Sequence, residues 1–254
     1  MLSYITFLWR SKNQHGVHSP FVFDLVTKCL YDTKKHAEYP LLEAYRVSLL
    51  HNRNTIRVMD FGAGSKVFKS DVRDISKIAK NAGITGKNAK LLLRITKYFR
   101  PQHVLEIGTS LGLATSALSL AYAASTITTL EGCPETAAAA QQQFRQFNLK
   151  AIRSIVTDFD SHLKGLSKSD NYQLVYFDGN HQKEATLRYF DLLLPTVSNE
   201  TVWIFDDIHW SAAMEEAWDI IKNHPKVTVT IDTFQWGIVF FRKEQEKEHF
   251  TIRT

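Results

Sequence analysis

Val104-Leu105-Glu106-Ile107-Gly108-Thr109-Ser110-Leu111-Gly112 is the stretch on which the fold turns. A β-branched run ends in an acid and a glycine turn, and an apolar helix-like stretch, Ala114 to Ala123, follows. The run Thr126 to Leu130 comes next and ends at Glu131, 23 residues beyond Gly108. Strand, glycine turn, helix and a second strand closing on an acid is the order that binds nucleotides, because the turn lets a ligand approach the backbone and the acid can accept from ribose hydroxyls. A second glycine turn, Asp60-Phe61-Gly62-Ala63-Gly64-Ser65, is followed by a lysine-rich stretch and no such strand, so it reads as a packing turn of open role.

Outward from this unit the same alternation continues. Strands are expected at His103 to Ile107, Thr126 to Leu130, Ala151 to Val156, Gln173 to Phe177, Thr201 to Phe205, Val227 to Ile231 and Gly237 to Phe241. Helices fall between the first six, and only Asp232 to Trp236 joins the last two, which must therefore run antiparallel. The expectation is an α/β, Rossmann-like seven-stranded sheet, mostly parallel with an antiparallel last strand. Upstream, Ser19 as cap and Pro20 at the first helical position open a helix, and Pro40, Asp71 and Lys87 begin others. The division read from this is an N-terminal helical cap over 1–70 and a catalytic domain over 71–254.

The 254 residues carry 31 Lys and Arg against 26 Asp and Glu, a formal charge of +5, with 44% apolar residues. That excludes a disordered chain and permits a large core. Ten of the basic residues and only two acids lie between Lys66 and Arg100. Helical spacing makes this band a solvated face, and the scarcity of interleaved aromatics argues against nucleic acid. No apolar run approaches the ~20 residues of a membrane span, and the opening residues lack a signal-peptide pattern. Cys29 and Cys133 stand apart without metal-like spacing, which points to a reduced, cytoplasmic protein.

A dinucleotide fingerprint would put glycine where Ser110 stands, and Glu106 suits a cofactor with a cationic amino group. Glu106 to Gly112 followed by Thr129-Leu130-Glu131 resembles the S-adenosylmethionine site of class I methyltransferases. The resemblance implies that Gly108, Thr109, Ser110 and Gly112 pack against the methionine and ribose portion, that Glu131 holds the ribose hydroxyls, and that Asp158 lies near adenine. Thr85 and Gly86 fall where that family also touches its cofactor.

Farther on, Asp178-Gly179-Asn180-His181 and Asp206-Asp207-Ile208-His209 follow neighbouring strands, where ligands of open α/β sheets bind. Three converging carboxylates call for a cation, and all-oxygen ligation suits Mg²⁺, Mn²⁺ or Ca²⁺; Asp207 and Asn180 could equally be helix caps. Residues 71–242 are similar to the metal-dependent O-methyltransferases, the group that includes the catechol, caffeoyl-coenzyme A and antibiotic-sugar enzymes. That likeness implies a divalent metal, Mg²⁺ first, on Asp178, Asp206 and Asp207. Its base positions fall on Asn180 and His181, and only the histidine can take a proton, which makes His181 with Asp178 the expected catalytic pair and His209 a second candidate.

The expected function is methyl transfer from S-adenosylmethionine to a hydroxyl of a small molecule, catechol-like or a sugar diol. A binding protein of the same fold, an RNA-directed methyltransferase using the basic band and an NAD(P)-dependent oxidoreductase are the alternatives. The N-terminal helices leave a homodimer open.

Overall fold

The structure is a computed structural model that describes residues 2–59 and 70–254. The Asp60 to Ser65 turn, together with Lys66 and Lys69 of the basic band, lies outside the described residues. In chain order the elements are α1 (Leu2–Arg10), α2 (Pro20–Leu25), α3 (Tyr39–His51), β1 (Thr55–Arg57), β2 (Val72–Asp74), α4 (Ile75–Asn81), α5 (Gly86–Phe99), β3 (His103–Ile107), α6 (Leu113–Ala121) and β4 (Thr126–Glu131). They continue with α7 (Pro134–Gln146), β5 (Ile152–Val156), α8 (Phe159–Lys164), β6 (Leu174–Phe177), α9 (Lys183–Leu193), β7 (Val202–Asp206), α10 (Ala212–Asn223), β8 (Val229–Asp232), β9 (Trp236–Phe240) and β10 (Glu248–Thr251). The chain forms two compact units, one of residues 33–162 and one of residues 1–32 with 163–254, so the boundary anticipated at residue 70 is not where the contacts divide.

In the 33–162 unit, β3, β4 and β5 run parallel, with Glu106 opposite Thr129 and Glu131 opposite Val156. β3 is buried from its second residue onward and β4 from Ile127 to Leu130, as expected of parallel strands covered on both faces. The approach helix α5 buries Leu91, Leu92, Leu93 and Ile95, is capped by the Thr85 hydroxyl, and ends at Arg100 in the left-handed region. Its lysines lie on the other face. Lys97 pairs with Glu38 at 2.6 Å and Lys90 stands over the Tyr39 ring, so part of the basic band is spent inside the unit. Residues 72–74, read from sequence as the start of a helix, instead pair antiparallel with residues 55–57. The β-branched Val72 and Ile56 favour this local ribbon.

In the other unit, β6 and β7 are parallel, β7 and β9 antiparallel, β9 and β8 antiparallel, and β10 adds to β8 in parallel. The antiparallel β8–β9 pair is the one the short connection required. Strand β10 has no counterpart in the sequence reading: Glu248-His249-Phe250-Thr251 is mostly exposed, and only Phe250 carries a buried side chain. Every residue of β6, β7 and β9 is buried, and Phe177, Trp203 and Phe205 make a mutual aromatic cluster. The Ser19 hydroxyl caps α2, whose Val22 and Leu25 are buried, and Phe21 packs edge-on against Phe240. The Ser19-Pro20 pair thus starts a helix that anchors in the core.

Candidate functional site

The glycine turn after β3 is held by the strand beside it. Gly108 and Thr109 both donate backbone N–H to the Leu130 carbonyl at 3.0 Å, and Ser110 donates its N–H to Glu131 Oε2 at 2.8 Å. The other oxygen of Glu131 accepts from the Cys133 N–H at 2.9 Å, so one carboxylate ties the turn to the start of α7. Gly108, Ser110 and Gly112 all have positive φ, with Ser110 at 48°. At Gly112 a Cβ would stand 2.3 Å from the Phe144 ring and 2.6 Å from the Tyr45 hydroxyl. The Tyr45 hydroxyl itself donates to the Leu111 carbonyl at 2.9 Å. Gly112 is therefore demanded by packing as well as by conformation.

Glu106 is fully buried. Its Oε2 accepts from the hydroxyls of Thr115 and Thr129, each at 2.5 Å. Because Thr129 spends its only proton there, the 2.6 Å contact between Thr109 and Thr129 must be donated by Thr109. Burial lifts the Glu106 carboxyl to about 8 against the pull of the two hydroxyls, and the Glu131 charge adds to the rise. Oε1 has no hydrogen-bond partner among the described residues. An unpartnered oxygen on a buried acid is a vacancy for a donor, and a cationic amino group would satisfy it and restore the ionised form. The residues present fit the amino acid end of S-adenosylmethionine.

The remaining expected cofactor residues show local roles. The Asp158 carboxylate accepts from the Ser161 N–H at 2.8 Å and so heads α8. Thr85 caps α5 by accepting from the Asn88 N–H at 3.2 Å, and Gly86 opens that helix.

The second set of residues lies in the other unit, after β6 and β7. Asn180 and Asp207 both take left-handed backbone conformations, each with φ of 54°, so each loop turns sharply after its strand. His181 Nε2 lies 3.7 Å from Asp178 Oδ1 and 4.0 Å from Asp207 Oδ2. Sequence reasoning missed Gln235, whose side-chain N–H groups reach Asp206 Oδ1 at 3.0 Å and Asp207 Oδ1 at 2.5 Å. No spacing rule could have found it, because it belongs to the β8–β9 turn. Burial and the neighbouring Asp206 charge raise the Asp207 carboxyl, against the opposing pull of His181 and Gln235.

The divalent ion implied by the resemblance does not fit this arrangement. One oxygen each of Asp206 and Asp207 is already engaged by the Gln235 amide, and among the described residues no three His, Cys, Asp or Glu side chains are grouped to hold a metal. Asp178 and Asp207 are brought together around His181, whereas the three acids do not form one ligand set. His209 is fixed elsewhere: its ring nitrogens lie 2.9 Å from Glu215 and 2.9 Å from Asp232, and it stacks on Phe234. Burial would lower its pKa, but the two carboxylates outweigh burial and raise it. A ring committed to two acids is held in place by them rather than left free as a base.

Residues 105–208 match the family model described as a methyltransferase domain. No curated protein sequence matches the chain. Among solved structures, the S-adenosylhomocysteine-bound methyltransferase PaMTH1 of Podospora anserina superposes with a TM-score of 0.61 at 14% identity, covering 90% of this chain and 97% of that one. The cofactor-bound protein Rv0187 from MTB gives 0.59 at 16%, covering 88% and 96%. An O-methyltransferase of Bacillus cereus in complex with S-adenosylhomocysteine gives 0.55 at 13%, covering 83% and 93%. The chain therefore has an α/β, Rossmann-like fold shared with these methyltransferase structures, and its residues 105–208 are similar to a methyltransferase domain. Among the described residues no helix is long and apolar enough to cross a membrane.

Proposed function

We propose that this protein is an S-adenosylmethionine-dependent O-methyltransferase acting on a hydroxyl of a small molecule. The observation that carries the reading is Glu106, an acid sealed in the core with one oxygen left for a donor, behind a glycine turn braced by Glu131. When bound, the cofactor supplies an electrophilic methyl group on a sulfonium. Glu106 would neutralise the amino group of that ligand, and Glu131 would accept from its ribose hydroxyls with the lone pairs left over from Ser110 and Cys133. Thr109 and Ser110 would line the turn beside it, while Gly108 and Gly112 keep the backbone close.

The acceptor hydroxyl is assigned to the acid cluster, where His181 would take its proton as the new carbon–oxygen bond forms and the methyl carbon–sulfur bond breaks, the thioether leaving as S-adenosylhomocysteine. The Asp178 and Asp207 carboxylates facing the ring would compensate the charge it acquires. Asp178 thus orients the base, and no step requires a metal.

Calorimetric titration with S-adenosylhomocysteine, with NADH as control ligand, tests the proposal. Binding of the former alone is expected. A folded protein that binds neither would sink the reading.

A further inference from the structure

The β8–β9 turn has an unusual first central residue. Thr233 and Trp236 close the hairpin, with the Thr233 N–H donating to the Trp236 carbonyl at 2.9 Å, which leaves Phe234 and Gln235 as the two turn residues. Phe234 has φ of 72°, a region that a hairpin of this length normally reserves for glycine or asparagine. Such strain persists only where the surroundings hold it. Here Phe234 stacks on His209 at 5.0 Å with planes 14° apart, and Tyr4 and Phe7 of α1 pack on it at 4.8 and 5.3 Å. Its N–H donates to Asp232 Oδ1 at 2.7 Å, and the other oxygen of Asp232 holds His209.

The held turn delivers Gln235 to the acid pair in three ways. Its carbonyl accepts the Asp207 N–H at 2.9 Å, fixing the left-handed residue, and its side-chain nitrogen reaches one oxygen of each carboxylate. An amide has two N–H groups, one for each acid, so it bridges them as a cation would while carrying no net charge. We propose that Gln235 is a positioning residue that takes the bridging place between Asp206 and Asp207, keeping the pair set for His181 without a divalent ion.

This inference rests on the acid cluster being the acceptor half of the proposed enzyme. A carboxylate at 235 would set a third acid against the pair with only the Asp207 backbone N–H, 3.0 Å from Asp206 Oδ1, left as a donor between them, and so create the demand for a cation that the wild-type amide lessens.

The experiment is calorimetric titration of Mn²⁺ into the full chain, wild type and Gln235→Glu. Gln235→Glu should bind Mn²⁺ more tightly by about tenfold or more. Equal affinities, with the wild-type heat lost in Asp206→Asn, would overturn the proposal. Should Gln235→Glu fail to fold, thermal midpoints decide. Gln235→Met, which keeps the length but removes both donors, should lower the midpoint in the wild-type background and lower it less beside Asp207→Asn. The same loss in both backgrounds would mean that Gln235 only packs. Titrating S-adenosylhomocysteine into the same samples keeps the two readings separate, since its failure strikes the cofactor assignment and leaves the Mn²⁺ comparison standing.

Discussion

The two units handle acidic residues in opposite ways. In the 33–162 unit, Glu106 is sealed among hydroxyls with one oxygen unanswered, and Glu131 is answered by two backbone N–H groups. In the other unit, Asp178, Asp206 and Asp207 are half-buried or better and are met by an imidazole and an amide from elsewhere in the chain. One half is prepared for a charged ligand that must arrive; the other already carries its own compensation. In the proposed enzyme the first would hold the cofactor and the second would meet the acceptor.

The largest expected effect tests how far the cofactor turn depends on packing. Gly112→Ala combines a positive φ with a Cβ only 2.3 Å from Phe144, and Phe144 is buried and cannot swing away. A loss of about 3 kcal/mol in urea-unfolding stability is expected, the range of combined backbone strain and overpacking. A loss under about 1 kcal/mol would show that Tyr45 and Phe144 yield, and the turn would then be set by ligand contact alone.

Glu106→Gln separates stability from binding. Burial pushes the folded carboxyl up to about 8 from its ordinary 4.5, so the folded state holds a proton that the unfolded chain releases. The stability of the free protein should therefore fall as pH rises from about 4.5 to about 8 and level off above. Glu106→Gln should flatten that slope. Its affinity for S-adenosylhomocysteine should drop by about 2 kcal/mol, roughly thirtyfold, because a charge-assisted contact is exchanged for a neutral one. Wild-type affinity should also rise between pH 6.5 and 8 as Glu106 becomes easier to ionise, a rise absent from the variant. Calorimetry across that pH range checks both, and an unchanged affinity in the variant would remove Glu106 from the site.

The same contrast explains what the sequence made legible. Glu106, Gly108, Gly112 and Glu131 sit in one strand, turn, helix and strand unit, so local spacing alone assembles them. Asp178 with His181 and the Asp206-Asp207 pair could be placed at strand ends for the same reason. Gln235 could not, because its role depends on a hairpin aimed by Phe234 against Tyr4 and Phe7, which lie more than 200 positions before it in the chain. Strand β10 escaped because four mostly exposed residues carry no alternating pattern. The metal expectation was read at the same place, and three carboxylates in sequence say nothing of an amide that arrives between two of them.

The smallest effect concerns the described part of the basic band, which lies in the 33–162 unit and would matter if that unit recruited a polyanion. Lys97 and Glu38 are paired at 2.6 Å with both side chains partly exposed. Burial would raise the Glu38 carboxyl, but the Lys97 contact and charge prevail and lower it. The pair therefore helps stability at neutral pH, and the help fades as pH falls through the Glu38 value. Solvent screening holds its worth to about 0.5 kcal/mol. Lys97→Ala should cost that much in thermal unfolding at pH 7 and less at pH 4. Cofactor affinity should stay the same, because Glu38 and Lys97 join α5 to the chain before α3 and touch none of the residues around Glu106. A Lys97→Ala variant that lost salt-sensitive RNA binding shown by the wild type would instead make this face a nucleic-acid surface. The two units would then differ in partner as well as in how they compensate their acids.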